Sequence, residues 1–186
     1  SMIGDSMKFF RMWAMCLIIV MGCLLSGCGN TTMLEEYSFG YTQLKSEHSE
    51  VFLMTPFQLG KANRQNGDGV MYVGNDTHIN LMAISESAKE FTVQKLAETS
   101  RTMLEQTPDI SNLQTKVNET TVNGKPAVET EYTYEEPLHG KNTKLDVRSL
   151  FFEDNGQIWH VMYMYRDGDA MGKEVTDYIF GKIKSY

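Results

Sequence analysis

The chain has 186 residues, 17 of them basic and 24 acidic, for a net charge of −7. So acidic a chain lacks the electrostatic footprint of a nucleic-acid binder, and its net charge argues against adhesion to anionic lipid by charge alone. Its three cysteines, Cys16, Cys23 and Cys28, all lie before residue 30, so the remainder has no thiol for a disulfide, a zinc site or a nucleophile.

The first segment reads as an address. Lys8 and Arg11 precede a 14-residue apolar run, residues 12–25, which is too short for a bilayer span of roughly 20 residues and matches the core of a signal peptide. The run ends in Leu25-Ser26-Gly27-Cys28, which resembles a bacterial lipobox. That resemblance implies removal of residues 1–27, diacylglycerol on the Cys28 sulfur, and palmitate-type chains holding the protein to the membrane. Two or three chains anchor stably, because each buried methylene contributes about 0.8 kcal/mol. The expected location is the extracytoplasmic face of a membrane in a bacterial cell envelope. Residues 28–36 read as the lipidated cysteine and a polar linker. With Lys8, Arg11 and Asp5 gone, 15 basic and 23 acidic residues leave a net charge of −8.

Residues 37–186 read as one domain. Residues 37–44 and 50–54 are strand-like, and Thr55-Pro56 ends the pairing because proline has no backbone donor. Gln65-Asn66-Gly67-Asp68-Gly69 is a turn before two apolar strands, residues 70–73 and 79–84. Ser87 and Glu90 have the spacing of a capping box. Val93, Leu96, Ala97, Ser100, Met103 and Leu104 then form one face of an amphipathic helix that ends near Gln106. Asn123-Gly124 and Asp154-Asn155-Gly156 turn two hairpins, since Asn-Gly adopts the positive φ values of a type I′ turn. In the last strand Trp159, Val161, Tyr163 and Tyr165 alternate with Ile158, His160, Met162 and Met164. Both faces are apolar, so both need cover. Asp169 is placed to cap a final helix with Met171, Val175, Tyr178, Ile179 and Ile183 as its buried stripe and Lys182 and Lys184 at its negative end. The predicted class is α+β: a central, mostly antiparallel sheet flanked by helices, with either one helix per face or both helices and the N-terminal segment sharing the faces.

The order of these elements, with Val122-Asn123-Gly124-Lys125-Pro126-Ala127 and Asp154-Asn155-Gly156-Gln157-Ile158-Trp159, resembles the PsbP-like fold group. That group contains photosystem oxygen-evolving subunits, a nuclear import factor that binds the GTPase Ran, and bacterial lipoproteins. The resemblance implies an α/β/α sandwich and a binding or assembly role, and it carries no partner onto particular residues.

Residue chemistry adds two candidate surfaces. Glu129 and Glu131, within a patch that includes Glu135 and Glu136, share a strand face and could receive a cation or a basic partner. Tyr132, Tyr134, Trp159, Tyr163 and Tyr165 could line an aromatic cleft for a small ligand. His48, His78, His139 and His160 show no metal-ligand spacing, and Asp167-Gly168-Asp169 departs from a calcium loop at its fifth position, Met171, and its twelfth, Tyr178. No metal, cofactor or catalytic set is expected. The expected function is a lipid-anchored, non-catalytic binding or scaffold module for an envelope protein, with a carrier of a small molecule or cation as the alternative and an envelope hydrolase as the second.

Overall fold

The computed structural model describes residues 36–63 and 69–185. The leader, the Leu25–Cys28 motif, most of the linker and most of the turn at residues 65–69 lie outside the described residues. Two sheets form. Strands β1 (Gly40–Ser46) and β2 (Ser49–Thr55) make a hairpin. Next come β3 (Gly60–Asn63), β4 (Val70–Asn75) and β5 (Asn80–Ser87), then helix α1 (Val93–Glu105). Strands β6 (Ser111–Val122), β7 (Lys125–Leu138), β8 (Lys141–Asp154) and β9 (Gln157–Arg166) follow, then helix α2 (Ala170–Ile179) and a short β10 (Ile183–Ser185). The larger sheet has seven strands in the order β3-β4-β5-β9-β8-β7-β6, and the smaller is β1-β2-β10. Every pairing is antiparallel. No helix among the described residues is long and apolar enough to cross a membrane.

The topology follows from one crossover. After β5 the chain passes through α1 to the far edge of the large sheet, then meanders back until β9 pairs with β5. Strand β9 is buried along nearly its whole length, on both faces, as its sequence requires. Ile158, Met162 and Met164 join a core with Leu96, Met103 and Leu104 of α1. Trp159, Val161 and Tyr163 join a second core with Leu44, Val51 and Leu53 of the small sheet and Val175 and Ile179 of α2. The structure fits both predicted arrangements: each face carries one helix, α1 on one side and α2 on the other, and the N-terminal hairpin shares the α2 side.

Several local expectations are corrected. The cap of α1 is Thr92, whose Oγ1 accepts from the Lys95 amide at 3.0 Å. Ser87 is committed to β5 opposite Gln157, and its hydroxyl accepts instead from the Lys89 amide. Asp169 does cap α2, accepting from the Gly172 amide at 3.0 Å. The stripe on that helix is shorter than expected: Met171, Val175 and Ile179 are buried, but Tyr178 is exposed and Ile183 belongs to β10. Lys182 and Lys184 lie beyond the helix and pack on aromatic rings rather than serving its terminus. Strands β7 and β8 extend past the expected ends to a tight turn at His139-Gly140, with φ of 50° and 78°.

Helix α2 docks through Gly172. A Cβ there would stand 2.8 Å from the His78 carbonyl oxygen and 2.8 Å from the Tyr165 Cβ, and neither neighbour is the end of a flexible side chain. His78 sits on the same seam, with Nδ1 2.9 Å from Asp169 Oδ2. Gly172→Ala should therefore lift the helix and destabilise the domain by about 1–3 kcal/mol, the usual cost of overpacking. Urea unfolding of the two proteins would check this.

Candidate functional site

On the α2 side of the sheet, β7 changes character after Ala127. Its side chains on that face are Glu129, Glu131, Thr133 and Glu135, all half-buried. Antiparallel register sets their neighbours: Glu131 stands opposite Lys116 on β6 and Arg148 on β8. Glu131 Oε1 lies 4.0 Å from Lys116 Nζ, and Oε2 lies 3.9 Å from Arg148 Nε. Arg148 also donates to Asp177 of α2 at 2.7 Å and stacks its guanidinium 4.1 Å from the Phe180 ring centre. Lys173 holds the other Asp177 oxygen at 2.7 Å. The row is thus a chain of alternating charges that ties the sheet to α2. Glu131 is shared between two cations, whereas Glu129 accepts a long 3.5 Å contact from Asn118 Nδ2. Among the described residues no three acidic, histidine or cysteine side chains converge as a metal site.

The acidic patch is also divided between faces. Glu136 points to the α1 side and is only 8 % exposed. Burial pushes its carboxyl up to about 7. On β8, burial and then the Glu131 charge push Asp146 up to about 6, while the Tyr165 hydroxyl, which donates to it at 3.2 Å, works in the opposite direction.

The expected aromatic cleft does not form. Tyr132 and Tyr134 are buried in the α1-side core, and Trp159 and Tyr163 in the opposite one. Tyr165 is 3 % exposed and spends its hydroxyl on Asp146. Register explains the separation. Tyr132 pairs with Val147, which pairs with Met164, so even-numbered β7 residues share a face with even-numbered β9 residues, while the three β9 aromatics carry odd numbers.

The histidines divide similarly. His160 is fully buried, stacked 4.0 Å from Phe151, with Nε2 3.1 Å from Ser149 Oγ; burial lowers its pKa to about 3, so it stays neutral. His78 is clamped by Asp169, and its Nε2 lies 3.6 Å from Glu36. His139 occupies a turn. His48 lines a feature that sequence reading missed, a cleft of about 510 Å³ between three turns, with Glu50, Lys125, Glu153, Asp154 and Asn155 also on its wall. Behind that wall Trp159 Nε1 donates to Ser49 Oγ at 2.9 Å, and Ser49 donates to Asp154 at 2.6 Å. The turns themselves were legible. Their convergence required the small sheet, which brings residues 48–52 to the β8–β9 turn.

No protein-family model and no curated protein matches the chain. Among solved structures, cyanobacterial PsbP (CyanoP) from Synechocystis sp. PCC 6803 superposes with a TM-score of 0.54 at 13% identity, covering 87% of this chain and 99% of that one. The fold is PsbP-like. LpqN of Mycobacterium tuberculosis, described as involved in cell envelope biogenesis, aligns with a TM-score of 0.48 at 13% identity, over 84% of this chain and 98% of its own. A Pseudomonas aeruginosa protein of unknown function, described as a putative regulator, aligns at 0.46 with 11% identity, over 78% of this chain and 97% of its own.

Folded Glu136 keeps its proton up to about pH 7, whereas an exposed carboxyl releases it near 4.5. Between those values the folded chain binds more protons than the unfolded one, so this group's contribution to stability falls as pH rises. Glu136→Gln should stabilise the domain at pH 8 by about 1–3 kcal/mol, with the gain shrinking as pH drops from 7 toward 4.5. Denaturant titrations of both proteins across that range would measure it.

Proposed function

We propose that this chain is a lipid-anchored module on the extracytoplasmic face of a bacterial membrane, where it holds an envelope protein partner and performs no chemistry of its own. The observation that carries the reading is Leu25-Ser26-Gly27-Cys28 at the end of a 14-residue apolar run. Acyl chains on Cys28 supply the membrane attachment, and a thiol-free domain suits an oxidising compartment because it has nothing to mispair. The PsbP-like fold supports a binding role through the resemblance drawn from the sequence. The charged row supports it chemically: its ionic groups engage one another across β6, β7, β8 and α2, which suits a stiff recognition surface better than proton transfer. Glu129, at the open end of that row, is the acidic contact offered to a basic segment of the partner.

The cleft between the three turns favours a second reading, a carrier of a small polar ligand or cation. Its wall mixes Glu50, Glu153 and Asp154 with His48 and Lys125, and calorimetric titration with calcium tests it. Heat at millimolar calcium that is abolished by Glu153→Gln favours the carrier.

For the anchor, the full reading frame expressed in a bacterium should yield a protein whose amino-terminal peptide begins at Cys28 and carries the mass of a diacylglycerol. Cys28→Ser should move it from the membrane to the soluble fraction. An unmodified, unprocessed amino terminus overturns the anchor, and a crosslinked pull-down from envelopes that returns nothing above background overturns the scaffold role.

A further inference from the structure

Strand β6 forms one edge of the large sheet and, among the described strands, pairs with β7 alone. Residues 114–119 are exposed on both of its faces. Val117, at 49 %, is the most exposed large hydrophobic side chain among the described residues. The phase of the backbone bonds follows from the turn at Asn123-Gly124. Residues flanking a two-residue turn exchange both of their bonds, here Val122 and Lys125. Thr120, Asn118, Lys116 and Gln114 then bond to β7 in the same way, opposite Ala127, Glu129, Glu131 and Thr133. The His139-Gly140 turn gives the same phase, since Leu138 pairs with Lys141 and even-numbered β7 residues therefore bond to β8. Odd-numbered β6 residues thus aim their N–H and C=O groups away from the sheet. An edge of this kind is a template for another strand, and proteins guard it with shortness, proline, bulges or charge. The opposite edge, β3, has only four residues. From Gln114 to Val122, β6 has no proline and no register shift, and its charges are Lys116 and Glu119. The Lys116 amine leans inward, 4.0 Å from Glu131.

We propose that β6 pairs antiparallel with β6 of a second copy, Val117 opposite Val117, so that two seven-stranded sheets join about a two-fold axis. The proposal stands on the fold and does not need the anchor. Such an axis is perpendicular to the sheet and keeps like faces together, so odd residues meet odd and even meet even. Outward backbone groups then meet outward groups, and the register is fixed by the residue at the axis. An axis at Lys116 or Glu119 sets like charges face to face, which is destabilising. One at Thr115 runs into the irregularity before Gln114, and one at Asn118 puts Val117 against Glu119. Positions nearer either end shorten the ladder. At Val117, valine meets valine, Lys116 meets Asn118, Gln114 meets Thr120, and the Thr115 hydroxyl meets the Glu119 carboxylate as a donor. Residues 115–119 of the two strands then share about six backbone hydrogen bonds. This register is what favours a second copy over an unrelated strand. The segment complements itself at every position, and its one lysine and one glutamate leave it neutral on a chain of net charge −7, so two copies meet here without opposed carboxylates.

The test uses the full chain in mild detergent and reads its mass by sedimentation equilibrium. Dimers are expected at micromolar concentration, with slowed amide exchange at Thr115, Val117 and Glu119 that sets in as the dimer forms. Val117→Pro removes an outward donor and none that serves β7, so it should leave a folded monomer. Val117→Lys and Val117→Glu should each raise the dissociation constant at least about tenfold, and an equimolar mixture of the two should restore the dimer, because unlike charges then meet at the axis. A chain that stays monomeric up to millimolar concentration overturns the proposal. So does a dimer that survives Val117→Pro, or a mixture of the lysine and glutamate variants that stays monomeric. If Val117→Pro fails to fold, the two charged variants decide alone. A purified monomer whose three amides are protected only in native envelopes assigns the edge to a different protein and also overturns the proposal.

Discussion

A strand that is apolar on both faces cannot lie at a surface. Strand β9 imposes that constraint here, and the architecture is its solution. Ile158, Met162 and Met164 demand cover on one side, Trp159, Val161 and Tyr163 on the other. One amphipathic helix suffices for the first. The second takes a separate three-stranded sheet and α2, which a glycine at the helix seam and a buried imidazole–carboxylate contact seat on the large sheet. Trp159 shows how tightly the layers are joined: it is fully buried, yet its indole N–H finds Ser49 on the other sheet. A buried donor left without such a partner would cost about 1–3 kcal/mol.

The same constraint decides what can be a site. The large aromatics that look suited to a ligand are consumed by the two cores, so the candidate site is ionic and lies at strand ends and on the α2 side of β6, β7 and β8. There the charges are mutually engaged. Arg148 touches Glu131, Asp177 and the face of Phe180, and so serves as a joint between sheet and helix. Such a surface is stiff and specific in shape, which agrees with a module that holds something in place.

Much of the fold was legible because its signals are local. The period of α1, the two Asn-Gly hairpins, the double-faced β9 and the Asp169 cap all come from residues within a turn or two of one another. What escaped reading was set at a distance. The Thr92 cap won over Ser87 because β9 claims Ser87 for pairing, which no capping pattern can reveal. Strand β10 forms only because β2 offers an edge to it. The site suffered most from a single turn. His139-Gly140 lacks the asparagine that usually announces a type I′ turn, yet it fixes the β7–β8 register, and with it the face on which Tyr132 and Tyr134 lie. With that register in hand, arithmetic alone would have separated these tyrosines from Trp159 and Tyr163.

Strand β10 has a temporal meaning too. Leu53 pairs with Ile183, 130 positions later, so the opening hairpin has no finished layer until residue 183 is available. Pairings this remote in sequence form slowly, because loop closure must precede any gain from contact. On the exported reading, a chain threaded through a secretion channel amino-terminus first would have its anchor attached while this layer was still open. The layer would then close at the membrane surface, with β10 acting as the clasp.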